Sequence, residues 1–279
     1  MERVMRKVLS SCIPLMVDSL GLSATYRLLA HVVPARDERF IASFHKRGLR
    51  QFFPDRGEMW LDDVVQRLRH HNRWSYLDSL ILPRLPMDII EEAFQVDGWD
   101  VIDRALDRGR GLILYGIHYG RIWTGIIYIC KRGYRLSTIV RLKGLGAARN
   151  LEPCLTGILI DAEAFSKERV YERLRQNEII LTMADGGVAR RPVETRFLGQ
   201  TVRLSPSFIK FAQETGAALA WWIGLSRRPD RIELHFQEAP AYRGGDSFGR
   251  QMEILLRPLA TYVRSDPSQW YSARRMLGL

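Results

Sequence analysis

The sequence predicts an α/β fold in which a mainly parallel central sheet is flanked by helices and follows an N-terminal helical segment. From residue 97 onward, short apolar runs alternate with amphipathic segments of helical length. Such alternation is typical of crossover connections between parallel strands. Before that point, apolar residues recur at helical spacing, as in Leu61-Asp-Asp-Val-Val-Gln-Arg-Leu-Arg. We therefore divide the chain into a helical segment, 1–95, and one continuous α/β domain, 96–279.

The order of elements in the α/β domain follows from its apolar runs. They predict strands at 111–117, 136–141, 157–160, 179–184, 218–225 and 232–238. The segments between and around them predict helices at about 99–108, 121–132, 163–176, 205–215 and 246–264. Arg228-Pro229-Asp230 predicts a hairpin turn between the last two strands. Ligands of an open α/β sheet bind beyond the carboxyl ends of its strands, so residues at those ends are the first functional candidates.

Composition narrows the classes of partner. The formal net charge of +11 favours an anionic partner, whether nucleic acid, lipid headgroups or an acidic carrier protein. Nucleic acid lacks support, because the sequence has no C2H2 spacing, no RNP-like motif and no long basic block. The three cysteines, Cys12, Cys130 and Cys154, predict neither a disulfide framework nor a metal site. Cysteines without a predicted disulfide pairing suit a reducing compartment.

The N-terminal stretch has its own pattern. A basic start, 1–7, precedes a largely apolar stretch, 8–33, which Pro14, Asp18 and Arg27 interrupt. The apolar run is too interrupted for a spanning helix, and no small-residue cleavage site follows it. Two interpretations stay open. The helices lie on a bilayer surface, or they pack on the main domain.

One histidine stands out from the other five. The run Gly111-Leu-Ile-Leu-Tyr-Gly-Ile-His118 predicts a buried strand that ends in a single imidazole, and no other histidine is placed in this way. This placement suits a general base, although a neighbouring carbonyl could equally hold the ring. Arg141 and Asp185 also fall at predicted strand ends. The shared placement favours one site at this edge of the sheet.

Seven segments between residues 45 and 275 carry a resemblance. They are Gly48-Leu-Arg-Gln-Phe-Phe-Pro54, Gly111 to Gly120, Val140-Arg141-Leu-Lys, Ile180-Leu-Thr-Met-Ala-Asp185-Gly-Gly, Arg196-Phe-Leu-Gly199 with Ser205-Pro-Ser, Glu214-Thr-Gly-Ala-Ala, and Pro267-Ser-Gln-Trp270. In this order they resemble the motif blocks of the lipid A biosynthesis lauroyl/myristoyl acyltransferase family, within the lysophospholipid acyltransferase superfamily.

The resemblance implies transfer of a fatty acyl chain from a thioester, on acyl carrier protein or coenzyme A, to a hydroxyl or amine. The acceptor would be a lipid, glycolipid or specialised metabolite, and neither a metal nor a resident cofactor is needed. The implied location is the cytoplasm, or the cytoplasmic face of the inner membrane as a peripheral protein. An anionic membrane surface is a further candidate partner.

The resemblance also suggests roles for individual residues. His118 would be the general base that takes the acceptor proton. Arg141 would bind an anionic headgroup or the phosphopantetheine phosphate, and Arg121 and Arg196 would add to the substrate surface. Backbone amides near Gly120 are one possible source of oxyanion donors.

The sequence departs from the family at one position. The family signature places an acid five residues after the histidine, and here that residue is Trp123. Two carboxylates are candidates to orient His118 instead. We favour Glu194, because the mycobacterial phosphatidylinositol mannoside acyltransferases resemble this chain in having a glutamate shortly before Phe-Phe-Gly. Asp185, which matches the block aspartate, is the other candidate. Glu194 could also be one residue of a charged surface loop.

A second function remains open. Trp123 favours a catalytically weak homologue that binds acyl chains or acyl carrier protein as a partner subunit. The presence of His118, Arg141 and Asp185 favours the enzyme. Thioester hydrolysis is a third possibility, which differs only in whether water reaches the site.

Overall fold

The computed structural model describes residues 2–32, 38–140, 159–161, 165–186, 191–228 and 230–277. Within these ranges the helices are α1 (Glu2–Leu20), α2 (Leu22–Val32), α3 (Glu38–Phe52), α4 (Glu58–Ile81), α5 (Met87–Ala93), α6 (Asp100–Asp107), α7 (Ile122–Lys131), α8 (Lys167–Arg175), α9 (Ser207–Thr215), α10 (Phe248–Ser265) and α11 (Ala273–Met276). Short 3-10 helices lie at Leu82–Arg84 and Pro267–Gln269. The strands are β1 (Phe94–Asp97), β2 (Leu112–Gly116), β3 (Leu136–Val140), β4 (Leu159–Asp161), β5 (Ile179–Met183), β6 (Val193–Phe197), β7 (Gln200–Leu204), β8 (Ala218–Arg228) and β9 (Arg231–Glu238).

The predicted fold class is confirmed. A central sheet has the strand order β1-β9-β8-β2-β5-β3-β4, and every neighbouring pair is parallel except β8 and β9. The predicted hairpin is present, because β8 and β9 pair in antiparallel register as far as Arg228 and Arg231. All six predicted strands lie in this sheet.

Two features differ from the prediction. β1 pairs with β9 at the sheet edge, so a strand begins at Phe94, just inside the segment predicted to be helical. The strands β6 and β7 form a separate antiparallel hairpin in a stretch where no strand was predicted. Charged side chains on the exposed face of this hairpin make its sequence similar to that of a surface loop.

Residues of the central strands alternate between two apolar cores, one on each face of the sheet. Ile113 and Tyr115 face a core that includes side chains of α9 and α10, whereas Leu112 and Leu114 face a core that includes side chains of α7. Because both faces are covered, a strand such as β2 is apolar along its whole length. This explains why the sequence shows a continuous apolar run before His118.

The N-terminal helices pack on the α/β fold through one face and expose apolar residues elsewhere. Gly21 separates α1 from α2 and adopts a left-handed conformation, with φ of +78°. Four buried residues, Ile13, Val17, Tyr26 and Leu29, join the core that contains α7. Four others are 45–68% exposed: Leu15, Leu20, Leu28 and Val32. Within the described ranges, no helix is long and apolar enough to cross a membrane.

Candidate active site

The parallel register of two strands brings His118 and Asp185 together. β2 and β5 are neighbours, and their last paired residues are Gly116 and Met183. His118 and Asp185 each lie two residues beyond that pair. The backbone continues in register between them, since Ala184 N donates to Gly116 O over 2.8 Å. The carboxyl edge of the sheet, where a ligand site was predicted, therefore places an imidazole beside a carboxylate.

Asp185 holds His118 through both its main chain and its ring. His118 Nδ1 lies 2.7 Å from Asp185 Oδ1. The His118 amide donates to both carboxylate oxygens, over 3.0 Å to Oδ1 and 2.9 Å to Oδ2. These contacts fix the histidine backbone and the direction of its ring at the same time.

The Asp185 carboxyl is fully buried, yet its pKa is lower than usual. Burial alone would raise the pKa of this group. The His118 charge, together with hydrogen bonds from the His118 ring, the Ser272 hydroxyl and the His118 amide, outweighs that effect. Asp185 is therefore ionised at neutral pH.

An ionised carboxylate only accepts hydrogen bonds, so the His118–Asp185 contact determines the tautomer of the ring. The proton of the neutral imidazole lies on Nδ1, and the lone pair lies on Nε2. Nε2 has no hydrogen-bond partner among the described residues. The His118 side chain is 20% exposed. This geometry suits a general base that accepts a proton from a molecule bound next to His118.

Ser272 completes the arrangement, although the sequence did not predict it as a site residue. Its hydroxyl donates to Asp185 Oδ2, and the residue is buried. The two residues are 87 positions apart in the chain. The only signal in the sequence was indirect, because Ser272 comes two residues after the Pro267-Ser-Gln-Trp270 block.

Residues 269–271 of the C-terminal segment also bind the main chain around His118. Tyr271 N donates to His118 O over 2.8 Å, and Gly120 N donates to Gln269 O over 2.7 Å. Trp270 forms an antiparallel bridge with Tyr119. The main chain of Gln269, Trp270 and Tyr271 thus supports the histidine loop from the side.

Gly120 is placed differently from the predicted oxyanion donors. Its φ is +62°, and a Cβ there would lie 1.9 Å from Gly224 O, so the chain crosses β8 where only glycine fits. The Gly120 amide already binds Gln269 O, and the Arg121 amide binds Gly224 O over 2.9 Å. These two amides are therefore engaged and do not point to a ligand.

Arg121 is likewise not part of a substrate surface. Its side chain is fully buried, and Nε donates to Asp78 Oδ2 on α4 over 2.8 Å. Nη2 donates to the same carboxylate and to the Tyr26 hydroxyl on α2, and Nη1 donates to Arg228 O. An arginine with these partners ties the N-terminal helices to the start of α7.

The role favoured for Glu194 needs correction, because Asp185 is the carboxylate that contacts the His118 ring. Glu194 is exposed on β6 and lies opposite Arg203 on β7. Arg196 is exposed on the same hairpin, opposite Thr201. The substrate role predicted for Arg196 stays a prediction.

Two positions that the sequence singled out remain, Arg141 and Trp123. Arg141 lies outside the described residues. Trp123, which occupies the position of the family acid, is partly buried in the first turn of α7 and packs against the core that contains this helix. Among the described residues, no group of three or more histidine, cysteine or acidic side chains is arranged to hold a metal ion.

Comparison with known proteins supports the sequence resemblance. A phosphatidylinositol mannoside acyltransferase of Mycobacterium tuberculosis is 30% identical over 189 residues, which cover 63% of this chain. The match spans only 57% of that relative. The protein of the same name from Mycolicibacterium smegmatis is 27% identical over 234 residues, or 76% of each chain. The family model for bacterial lipid A biosynthesis acyltransferase matches residues 42–276, which include His118, Asp185 and Ser272, so the chain belongs to this family.

Proposed function

We propose that this protein is an acyltransferase. It moves a fatty acyl chain from a thioester, on acyl carrier protein or coenzyme A, to a hydroxyl or amine of a lipid or glycolipid acceptor. The observation that carries the proposal is the His118–Asp185 pair at the carboxyl edge of the sheet, with the His118 side chain 20% exposed. Family membership and the names of the mycobacterial relatives support this reaction class and a glycosylated lipid acceptor.

In the proposed reaction, His118 Nε2 takes the proton of the acceptor as its oxygen or nitrogen attacks the thioester carbonyl carbon. The tetrahedral intermediate then collapses, the carbon–sulfur bond breaks, and the imidazolium returns its proton to the leaving thiolate. The products are an ester or amide and a free thiol. A positioned base of this kind contributes about 10²–10⁴-fold to the rate.

Asp185 has two tasks in this mechanism. It keeps the Nδ1 proton in place, so that Nε2 presents its lone pair, and it stabilises the imidazolium that forms during proton transfer. Its lowered pKa suits both tasks, because the carboxylate stays charged throughout. Asp185 thus takes the part that the acid of the family signature would play from position 123.

The donor and acceptor are both anionic in this proposal. The formal net charge of +11 favours an acidic carrier protein, the phosphates of coenzyme A and anionic headgroups alike. Arg141 and Arg196 are the residues we expect to bind these phosphates. The thioester is a co-substrate, and the proposed chemistry uses no resident cofactor.

We also propose that the protein works as a peripheral protein on the cytoplasmic face of the inner membrane. The exposed apolar side chains of α1 and α2, at Leu15, Leu20, Leu28 and Val32, are suited to insert among lipid headgroups. The basic residues of the N-terminal segment would be drawn to anionic lipids. Such a position would bring the site close to a lipid acceptor.

A catalytically weak homologue that binds acyl chains or acyl carrier protein is the second candidate. Two observations favour it: Trp123 stands at the position of the family acid, and the Gly120 and Arg121 amides are already engaged. This protein would bind an acyl thioester without consuming it.

One experiment separates the two candidates. Wild type, His118→Ala and Glu194→Gln are incubated with acyl carrier protein and coenzyme A thioesters and a panel of lipid acceptors, while free thiol and product mass are followed. Acyl transfer that is lost in His118→Ala and kept in Glu194→Gln supports the enzyme. Thioester binding without acylated product in all three proteins supports the binding homologue. Thiol release without acylated product, lost in His118→Ala, would indicate hydrolysis.

A further inference from the structure

The hydrogen bonds of Asp185 form a chain that ends at Ser272. Oδ1 contacts the His118 ring, and Oδ2 accepts the Ser272 hydroxyl. Asp185 is 0% exposed and Ser272 is 1% exposed. A buried carboxylate requires hydrogen-bond donors on both oxygens, because water is not there to supply them. Among the described residues, two side chains bind the Asp185 carboxylate: the His118 ring and the Ser272 hydroxyl.

The position of Ser272 in the chain makes this contact unexpected. It precedes α11 at the N-cap, where a serine side chain usually accepts a hydrogen bond from a backbone amide of the first turn. No such bond forms here. Helix capping therefore does not account for the direction of the Ser272 hydroxyl, which is turned toward Asp185.

We propose that Ser272 is a positioning residue for His118, acting through Asp185. By holding Oδ2, its hydroxyl keeps the carboxylate rotated so that Oδ1 meets Nδ1, and the ring stays in the tautomer that leaves Nε2 free. The catalytic consequence rests on the proposed function, but the effect on the ring does not, since it exists in the resting protein.

The proposal predicts a specific change when the hydroxyl is removed. Oδ2 loses a donor that stabilises its negative charge, so the carboxylate becomes more basic and holds the shared proton more tightly. Protonation of the His118–Asp185 pair then begins at a higher pH. His118 is then protonated, and cannot act as a base, over a wider acidic range. The orientation of its ring is also less restrained.

The variants are Ser272→Ala, Ser272→Thr and a matched control, Ser268→Ala. Ser268 is also buried in the C-terminal segment, and its hydroxyl donates to a carboxylate, but that carboxylate is Asp266. Each protein is labelled with ¹⁵N-histidine, and the His118 ring is titrated by NMR, with His118→Ala used for assignment. The kcat, the KM and the pH–rate profile are measured in parallel, and thermal melts monitor folding.

For Ser272→Ala we expect a kcat about tenfold lower, the effect of one hydrogen bond to a charged group, with KM within about twofold of wild type. The acid limb and the His118 titration should both move to higher pH by about half a unit or more. Ser272→Thr should recover the kcat and the pH dependence of wild type. Ser268→Ala should match wild type in kcat and in pH dependence.

Three results would overturn the proposal. One is a Ser272→Ala protein with the kcat, pH profile and ring signals of wild type. Another is an equal loss in Ser272→Ala and Ser268→Ala. The third is a Ser272→Thr protein that melts like wild type but behaves like the alanine variant. If wild type transfers no acyl group, the proposed function fails, and the NMR titration alone decides the role of Ser272.

Discussion

His118 and Asp185 occupy equivalent positions on neighbouring parallel strands, each two residues past the pair formed by Gly116 and Met183. Their contact therefore depends on strand register and not on proximity in sequence. A shift of one residue between β2 and β5 would turn the carboxylate to the opposite face of the sheet and separate the pair. The family signature places its acid only five residues after the histidine, whereas this chain pairs the two groups across neighbouring strands.

The first prediction compares the two candidate acids. Asp185→Asn should lower kcat by about 10³–10⁴-fold, because the amide favours the wrong tautomer of the ring. Glu194→Gln should stay within about twofold of wild type, because Glu194 is exposed and the His118 ring already has its partner. Acyl transfer kinetics measure both effects. A large loss in Glu194→Gln, with Asp185→Asn active, would restore the original assignment.

The second prediction concerns the chain crossing at Gly120. Gly120→Ala should lower the free energy of unfolding by about 3 kcal/mol or more, because it combines a left-handed φ with a Cβ that meets Gly224 O. Gly109→Ala is the matched control. Its φ is +68°, but nothing lies within 4 Å of the added Cβ, so we expect a loss of about 1–2 kcal/mol. Urea unfolding gives both values, and equal losses would show that the crossing is not tight.

The third prediction concerns the buried ion pair between Arg121 and Asp78. Asp78→Ala should destabilise the protein by about 3–5 kcal/mol, because it leaves a guanidinium buried without its carboxylate. Asp100→Ala removes an exposed partner of Arg104 and should change the free energy of unfolding much less, because exposed ion pairs contribute little to stability. The same unfolding curves measure both variants. A small loss in Asp78→Ala would mean that water reaches Arg121.

The fourth prediction concerns pH and stability. Burial lowers the pKa of His71 to about 4, whereas the ordinary value is 6.5. Between these two pH values the unfolded chain binds more protons than the folded one, so stability falls as the pH drops from 6.5 to about 4. His71→Gln should remove about 1–3 kcal/mol of that fall, as measured by urea unfolding at several pH values. The neighbouring His70 is exposed, so His70→Gln is the control for replacing a histidine on this helix.

The fifth prediction tests the membrane surface. Leu15→Ser with Leu28→Ser should weaken binding to vesicles of phosphatidylglycerol and phosphatidylcholine by about tenfold or more, since apolar insertion contributes roughly 1 kcal/mol per side chain. Met59→Ser is the control, because Met59 is 87% exposed and lies at the start of α4, whereas Leu77 and Leu80, which share a core with residues of α1 and α2, lie near the other end of this helix. Vesicle sedimentation measures the binding. Equal effects of both changes would argue against a surface specific to the N-terminal helices.

The sequence predicted the central sheet well for a physical reason. Strands such as β2 and β5 are covered on both faces, so their sequences are nearly continuous apolar runs, which are typical of buried parallel strands. The hairpin β6–β7 was missed because one of its faces is exposed and carries Glu194, Arg196 and Arg203. A short strand with charged residues at alternate positions is difficult to distinguish from a polar loop.

The site was predicted only in part. His118 and Asp185 were both identified at strand ends, but their mutual contact depends on register, which a single sequence does not specify. Arg121 was misassigned because an arginine after a strand usually faces solvent, and its partner Asp78 lies on a distant helix. Ser272 was missed for the same reason, since only the folded chain brings it to Asp185.

The separation of Ser272 from Asp185 also bears on when the site forms during synthesis. A ribosome must add 87 residues after Asp185 before it reaches Ser272, which takes about 4–17 s at ordinary elongation rates. Throughout that interval His118, with its amide, and Asp185 are already present in the nascent chain, but the Ser272 hydroxyl that donates to Oδ2 and the Tyr271 amide that donates to the His118 carbonyl are not. Under the proposed role of Ser272, the complete arrangement therefore forms only after β9, the last of the described strands of the central sheet, has been made.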